Sequence, residues 1–130
     1  RRATGGQWGQ AFLRLARGDT VGGATAFAAA ERELPDAGAI LLATAARLHL
    51  ARGDDGAAEP LWRSVVQGYE HTPEAAEADL EWARILRRRG DSAGAVTRLE
   101  HLILTYPNSA LVPQARRELE LARNRIPEIT

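Results

Sequence analysis

The sequence predicts an all-α protein: a right-handed α-solenoid of three helix-turn-helix units followed by a C-terminal capping helix, seven helices in total. Three observations predict it. Gly-Asp pairs recur at Gly18-Asp19, Gly53-Asp54 and Gly90-Asp91, with glycine-to-glycine spacings of 35 and then 37 residues. The same residue classes return around each pair. Alanine stands seven before the glycine (Ala11, Ala46, Ala83), a small residue five after it (Gly23, Ala58, Ala95) and a large apolar one nine after it (Phe27, Trp62, Leu99). Apolar residues between the pairs fall at i, i+3, i+4 and i+7, the period of a helix rather than a strand. Repeats of this length mark supersecondary units that each leave one apolar face uncovered, and about three are needed to bury a shared core.

The elements follow in order. Residues 1–6 carry two glycines and no periodicity and are expected to be a disordered arm; residues 7–126 form one domain. The units run over about 7–35, 36–70 and 72–107, with the cap at 109–126. The first helix spans about Gln7 to Arg17, on Trp8, Ala11, Phe12 and Leu15. The second spans about Thr20 to Leu34 and stops at Pro35. The third, about Ala37 to Arg52, is apolar almost all round, so it is expected at the buried centre, with Asp36 as its cap. The fourth runs to about Gly68 on Ala58, Leu61, Trp62, Val65, Val66 and Tyr69. Pro60 conflicts with it: capped at Asp54, the helix should kink there, whereas a start nearer Gly56 puts the proline in the tolerant first turn.

Thr72-Pro73-Glu74 is a helix start with cap, first-turn proline and an acid facing the dipole. The fifth helix continues to Arg89, closing on the cations Arg87, Arg88 and Arg89, and the sixth runs from Ser92 to Tyr106. The seventh, about Ser109 to Arg125, has a narrow apolar stripe (Val112, Ala115, Leu119, Ala122) and is polar elsewhere, as the end of an open stack requires.

Composition excludes several function classes. All 17 basic residues are arginine and 17 acids balance them, so net charge is zero and no field draws the chain to nucleic acid or an acidic membrane. There is no cysteine, hence no disulfide or thiolate chemistry. No apolar run approaches a membrane span, so no direct membrane insertion is expected. The chain begins Arg1-Arg2-Ala3 and contains no methionine, which is expected of a mature fragment or a cut-out domain.

These residues resemble the tetratricopeptide repeat (TPR) family. The third unit matches through Ala83, Gly90-Asp91, Ala95, Leu99 and Pro107. The second matches through Ala46, Gly53-Asp54, Ala58 and Trp62, with Glu70 where the family has proline. The first matches through Ala11, Gly18-Asp19, Phe27 and Pro35, with Gly23 in place of alanine. The resemblance covers about residues 7–125. His49 and Leu86 stand where an aromatic is common, and the longer period implies longer turns between units. The Tyr106-Pro107-Asn108-Ser109 turn followed by Ala115 looks like the bacterial envelope variant, found in the Tol–Pal-associated cell-division coordinator and outer-membrane assembly lipoproteins. That likeness implies the cell envelope or periplasm.

Catalysis needs convergent groups with tuned pKa values, and the sequence shows none. His49 lies on an inward stripe with no acid at i±3 or i±4, so a satisfied core histidine is expected. His71 falls in a turn, and His101 is expected on the polar side of its helix beside Glu100. Three scattered histidines are not a zinc site. Asp54, Asp55 and Glu59 lack the alternating oxygens of a calcium loop, and capping is their expected role. Ser64, Ser92 and Ser109 have no nearby base, and no glycine-rich phosphate motif is present. The chain is expected to be no enzyme and to carry no cofactor or metal.

In the TPR family the first helix of each unit lines a concave groove. Carried over, this implies Trp8, Phe12 and Leu15 in the first unit, Ala43, Arg47 and Leu50 in the second, and Leu80, Arg84, Arg87 and Arg88 in the third. An apolar floor with an arginine edge suits a peptide or protein partner carrying acidic and apolar residues. Against this, Glu77, Asp79 and Glu81 sit at helical spacing to pair with those arginines. Trp8 and Phe12 equally suit packing against whatever precedes them. The leading expectation is a protein–protein interaction scaffold. The alternative is a homo-oligomer formed through the uncovered Trp8–Phe12–Leu15 end. An RNA-binding helical repeat ranks below both, because a zero net charge makes a poor base-reading groove.

Overall fold

Two helix–Gly–Asp–helix turns organise the chain. The computed structural model describes residues 21–23, 25, 26 and 37–124. The N-terminal arm, the first expected helix, the Gly18-Asp19 turn, Phe27, Pro35 and Asp36 lie outside the described residues. Of the second expected helix, residues 21–23, 25 and 26 are described and are helical. Every regular element among the described residues is a helix: α1 (Gly38–Ala51), α2 (Asp55–Gly68), α3 (Pro73–Arg88), α4 (Ser92–Thr105) and α5 (Val112–Ala122). The chain divides into two compact units between Tyr69 and Glu70. In the first, α1 packs on α2; in the second, α3 packs on α4 and α5 packs on α4 and touches α3.

The two turns share one construction. Gly53 and Gly90 have φ of +77° and +94°, a left-handed conformation that a Cβ penalises. Asp54 N–H bonds back to His49 C=O at 3.0 Å and Gly53 N–H to Leu50 C=O at 2.8 Å. Asp91 N–H and Gly90 N–H repeat this with Leu86 C=O at 2.8 Å and Arg87 C=O at 3.0 Å. These paired bonds satisfy carbonyls that the helix end leaves open. Each aspartate then caps the next helix: Asp54 accepts from Ala57 N–H at 3.1 Å, Asp91 from Gly94 N–H at 2.8 Å. The helices so started both stop at a tyrosine, Tyr69 and Tyr106.

Each hairpin buries its own core along the predicted stripe. In the first, Leu41, Ala45, Ala46, Ala58, Trp62 and Val65 are wholly buried. In the second the core runs through Leu80, Ala83, Ala95, Leu99 and Leu102 and extends to Val112, Ala115 and Ala122 of α5. Helix α1 is buried on most sides, although Ile40 is half exposed.

Several boundaries differ from expectation. The cap position of α1 is Ala37, with no side-chain bond, rather than Asp36. Helix α2 is capped by Asp54, so Pro60 lies inside it and cannot donate to the carbonyl of Gly56. Helix α5 starts at Val112, not Ser109, because Ser109 to Leu111 form a turn in which Ser109 Oγ accepts from Leu111 N–H at 3.1 Å. It ends at Ala122, and Asn124, with a φ of +60°, takes the left-handed turn that follows the cap residue Arg123. The start at Thr72-Pro73 is as predicted: Thr72 Oγ1 accepts from Ala75 N–H at 3.1 Å.

Candidate functional site

The groove residues taken from the resemblance fall into three groups. Trp8, Phe12 and Leu15 lie outside the described residues. Ala43 and Leu80 are buried, Leu80 in the core of the second unit, so neither is open to a partner. Arg47 and Arg88 are exposed and Leu50 is half-buried.

Arg84 and Arg87 are held within the second unit. Both oxygens of Glu118 on α5 are occupied, Oε2 by Arg84 Nε at 3.2 Å and Oε1 by Arg87 Nε at 2.9 Å. Arg84 also reaches Glu81 at 3.0 Å and the Gln114 side chain at 3.1 Å. The arginine edge therefore fastens the last helix onto α3, with charge-assisted bonds in a fork geometry that lysine lacks. Burial raises the carboxyl of Glu81 above its ordinary range, against the pull of Arg84.

Asp79 departs furthest from expectation. It does not pair with the arginines of its own helix; it is wholly buried and bound across the hairpin to α4. Its Oδ2 lies 2.6 Å from His101 Nδ1, and its Oδ1 accepts from Arg98 at 3.2 Å. An ionised Asp79 requires Nδ1 to carry the proton, which turns Nε2 of the ring toward Glu70, 3.6 Å away. Burial pushes the Asp79 carboxyl above the usual carboxylate range, opposed by His101 and Arg98. The guanidinium of Arg98 also lies 4.8 Å from the ring centre of Trp82. His101, expected on the polar side of its helix beside Glu100, is half-buried there and turned onto Asp79. The local sequence around Asp79 carries no hint of this. The signal lies in the repeat register, where Asp79 occupies the position of the core residue Leu42, 37 residues earlier.

Tyr106 extends the cluster outward. Its ring meets His101 edge-on at 6.1 Å and His71 at 6.0 Å, and its hydroxyl accepts from His71 N–H at 3.0 Å. His71 is in the turn as expected and holds a φ of +70°, uncommon outside glycine. Burial raises the Tyr106 phenol above its ordinary value. Beyond it opens a cavity of about 570 Å³ between the start of α3 and the loop from α4 to α5. Pro73, Ala76, Tyr106, Pro107 and Leu111 line it, with His71, Thr105 and Asn108 among its polar wall.

In the first hairpin His49 is buried, as expected of a core histidine, but its Nδ1 and the Nε1 of Trp62 have no hydrogen-bond partner among the described residues. Among the described residues no group of three or more metal-binding side chains converges, and no helix is long and apolar enough to cross a membrane.

No protein-family model matches the chain, and no curated protein matches it. The site geometry and the repeat carry the functional reading.

Proposed function

We propose that the chain is a non-catalytic protein–protein interaction scaffold, built as a TPR-like right-handed solenoid whose hairpins are successive units. One observation carries the reading: the whole turn, from glycine φ through carbonyl bonds to aspartate cap and closing tyrosine, is written twice at a 37-residue interval. Units of this kind exist to be stacked, and stacking yields long continuous surfaces more readily than enclosed reaction centres. Asp79 and His101 form a hydrogen-bonded pair across the hairpin, with Arg98 on the other carboxylate oxygen, which supports a structural role for the pair. The partner is a protein segment carrying acidic and apolar residues, which would meet the exposed Arg88 rather than Arg84 or Arg87, whose guanidinium groups Glu118 holds.

The test is a fluorescence-anisotropy titration with a panel of labelled peptides, acidic-apolar, basic-apolar and purely polar. Saturable binding of the acidic-apolar set is expected, weakened about tenfold by Arg88→Glu, a loss of about 1.4 kcal/mol. Failure of every peptide to bind would sink the scaffold reading. Sedimentation of the chain alone over a concentration range reads out self-association in the same experiment.

A further inference from the structure

We infer that the turn leading into α3, residues 70–72, is a proton-operated latch: one proton taken up by the Asp79–His101 pair appears on Nε2 of His101 and clamps the carboxylate of Glu70, holding the turn against α4. The latch lies wholly within the second unit and acts whether or not a partner binds.

The 2.6 Å hydrogen bond between Asp79 Oδ2 and His101 Nδ1 decides where the proton goes. That contact needs one proton between the two atoms, however the pair shares it. The other oxygen of Asp79 is taken by Arg98, and the side chain is wholly buried, whereas His101 is half-buried. A further proton therefore enters at Nε2. This atom faces Glu70 Oε2 at 3.6 Å, close enough for an ion pair and too long for a hydrogen bond. With Nε2 bare, two acceptors face each other and the contact repels. With Nε2 protonated, it donates to a carboxylate and the gap closes. Imidazole is the ordinary side chain that gains and loses a proton between about pH 5 and 8, which suits it to such a step.

The turn is built to be held from outside. His71 has a φ of +70°, a left-handed conformation that costs energy in a residue other than glycine and persists where the surroundings fix it. Two contacts from α4 and its cap residue fix this one. Tyr106 Oη accepts from His71 N–H at 3.0 Å, and His101 meets the neighbouring Glu70. The first contact is indifferent to the imidazole proton, and the second depends on it. The tyrosine therefore sets the place of the turn and the histidine sets how firmly it is held.

The charged groups around His101 each have a place. Asp79 faces it from α3 and Glu70 from the turn, with Arg98 and Tyr106 on its own helix and cap and His71 behind the tyrosine ring. Glu100, next to it in sequence, is taken by Arg123 on the far end of α5. Burial does most to raise the Asp79 carboxyl; His101 and Arg98 oppose it and Glu70 adds to it, so both carboxylates are coupled through the one ring. In the first hairpin Leu42 and Ser64 stand at the positions of Asp79 and His101, so that hairpin has no counterpart of the pair.

The experiment is amide- and imidazole-resolved NMR of the whole chain between about pH 5 and 8. Long-range nitrogen–proton spectra at the alkaline end should show the neutral His101 ring protonated on Nδ1. As pH falls and Nε2 gains its proton, exchange of the His71 amide with water, corrected for its intrinsic pH dependence, should slow by about two- to fivefold with the same midpoint. Glu70→Gln, on an exposed turn, removes the clamped charge and should abolish the slowing. Glu100→Gln should keep it. So should His71→Asn, which removes the turn's own imidazole with a residue that tolerates positive φ. A neutral ring protonated on Nε2, exchange at residue 71 that does not follow His101, a Glu70→Gln chain that responds as before, or a response lost in Glu100→Gln or His71→Asn would each overturn the latch. The peptide panel decides the scaffold reading separately.

Discussion

The two hairpins share a skeleton and differ in what fills it. In the first, Trp62 on α2 is wholly buried opposite a helix whose matching position is Ala45. In the second the large ring has changed sides: Trp82 stands on α3 and Leu99 occupies the position of Trp62. Where the first has Leu42 and Leu61, the second has the Asp79–Arg98 ion pair, with His101 completing it. The tyrosines differ too. Tyr69 lies against Gly38, where a Cβ would overlap its hydroxyl, while the second hairpin has Ala75 at that register and Tyr106 accepts from His71 instead. A repeat is therefore a backbone specification. Turn, caps and small-residue contacts are held, and the remaining interior volume can be filled with aliphatic groups or with a satisfied polar cluster.

The largest effect should come from the difference in ring placement. Trp62→Ala empties a wholly buried site and is expected to cost about 3–5 kcal/mol in urea denaturation, with Trp82→Ala, half-buried, costing clearly less. Equal losses would show that the two hairpins divide their cores alike.

Next comes the polar cluster. Asp79→Ala alone leaves Arg98 and His101 without their acceptor and is expected to cost about 1–3 kcal/mol. Replacing the set by its first-hairpin counterparts, Asp79→Leu with Arg98→Leu and His101→Ser, should be neutral or stabilising by up to about 4 kcal/mol, because the buried charge goes together with its partners. A triple variant less stable than Asp79→Ala would mean that the cluster itself supports the fold.

Gly53→Ala and Gly90→Ala probe what the hairpins share. Each forces a Cβ into a left-handed turn and should cost roughly 1–2 kcal/mol, the two values agreeing within about 0.5 kcal/mol. Unequal losses would show that the common turn is held by different surroundings.

The smallest effect is one of pH. The Asp79 carboxyl is raised in the folded state, so it holds its proton more tightly folded than unfolded. Its stabilising contribution is full below the ordinary carboxylate value near about 4 and is lost as pH rises through the raised value. The difference in urea midpoint between Asp79→Asn and the unaltered chain should therefore move in favour of the variant as pH rises from acid toward neutral. A difference that stays flat over that range would contradict a raised Asp79.

The turns were legible because their causes are local. A glycine that tolerates positive φ, an aspartate able to cap and an alanine at a close approach each act within a few residues, and recurrence multiplied the signal. The helix stripes were legible for the same reason, periodicity alone marking which residues of α2, α3 and α4 turn inward. The partners of Arg84, Arg87 and Asp79 were not. Spacing along one helix suggested Glu77, Glu81 and Asp79 for the arginines; Glu81 does meet Arg84, but Asp79 turns to α4 instead. Glu118 and Gln114 lie 30 or more residues away on α5, and His101 lies 22 residues from Asp79 on α4.

By itself, then, the sequence determined the helical class, the repeat, the two turns and the greater part of each hairpin's core, all of which follow from backbone stereochemistry and periodicity along one chain. Tertiary structure alone decided which charges meet, that Ala43 and Leu80 face inward, and that a cavity opens beside Tyr106. Those depend on distances between helices, which no single helix encodes. A side chain on one element has many sterically allowed partners on another, and packing selects among them.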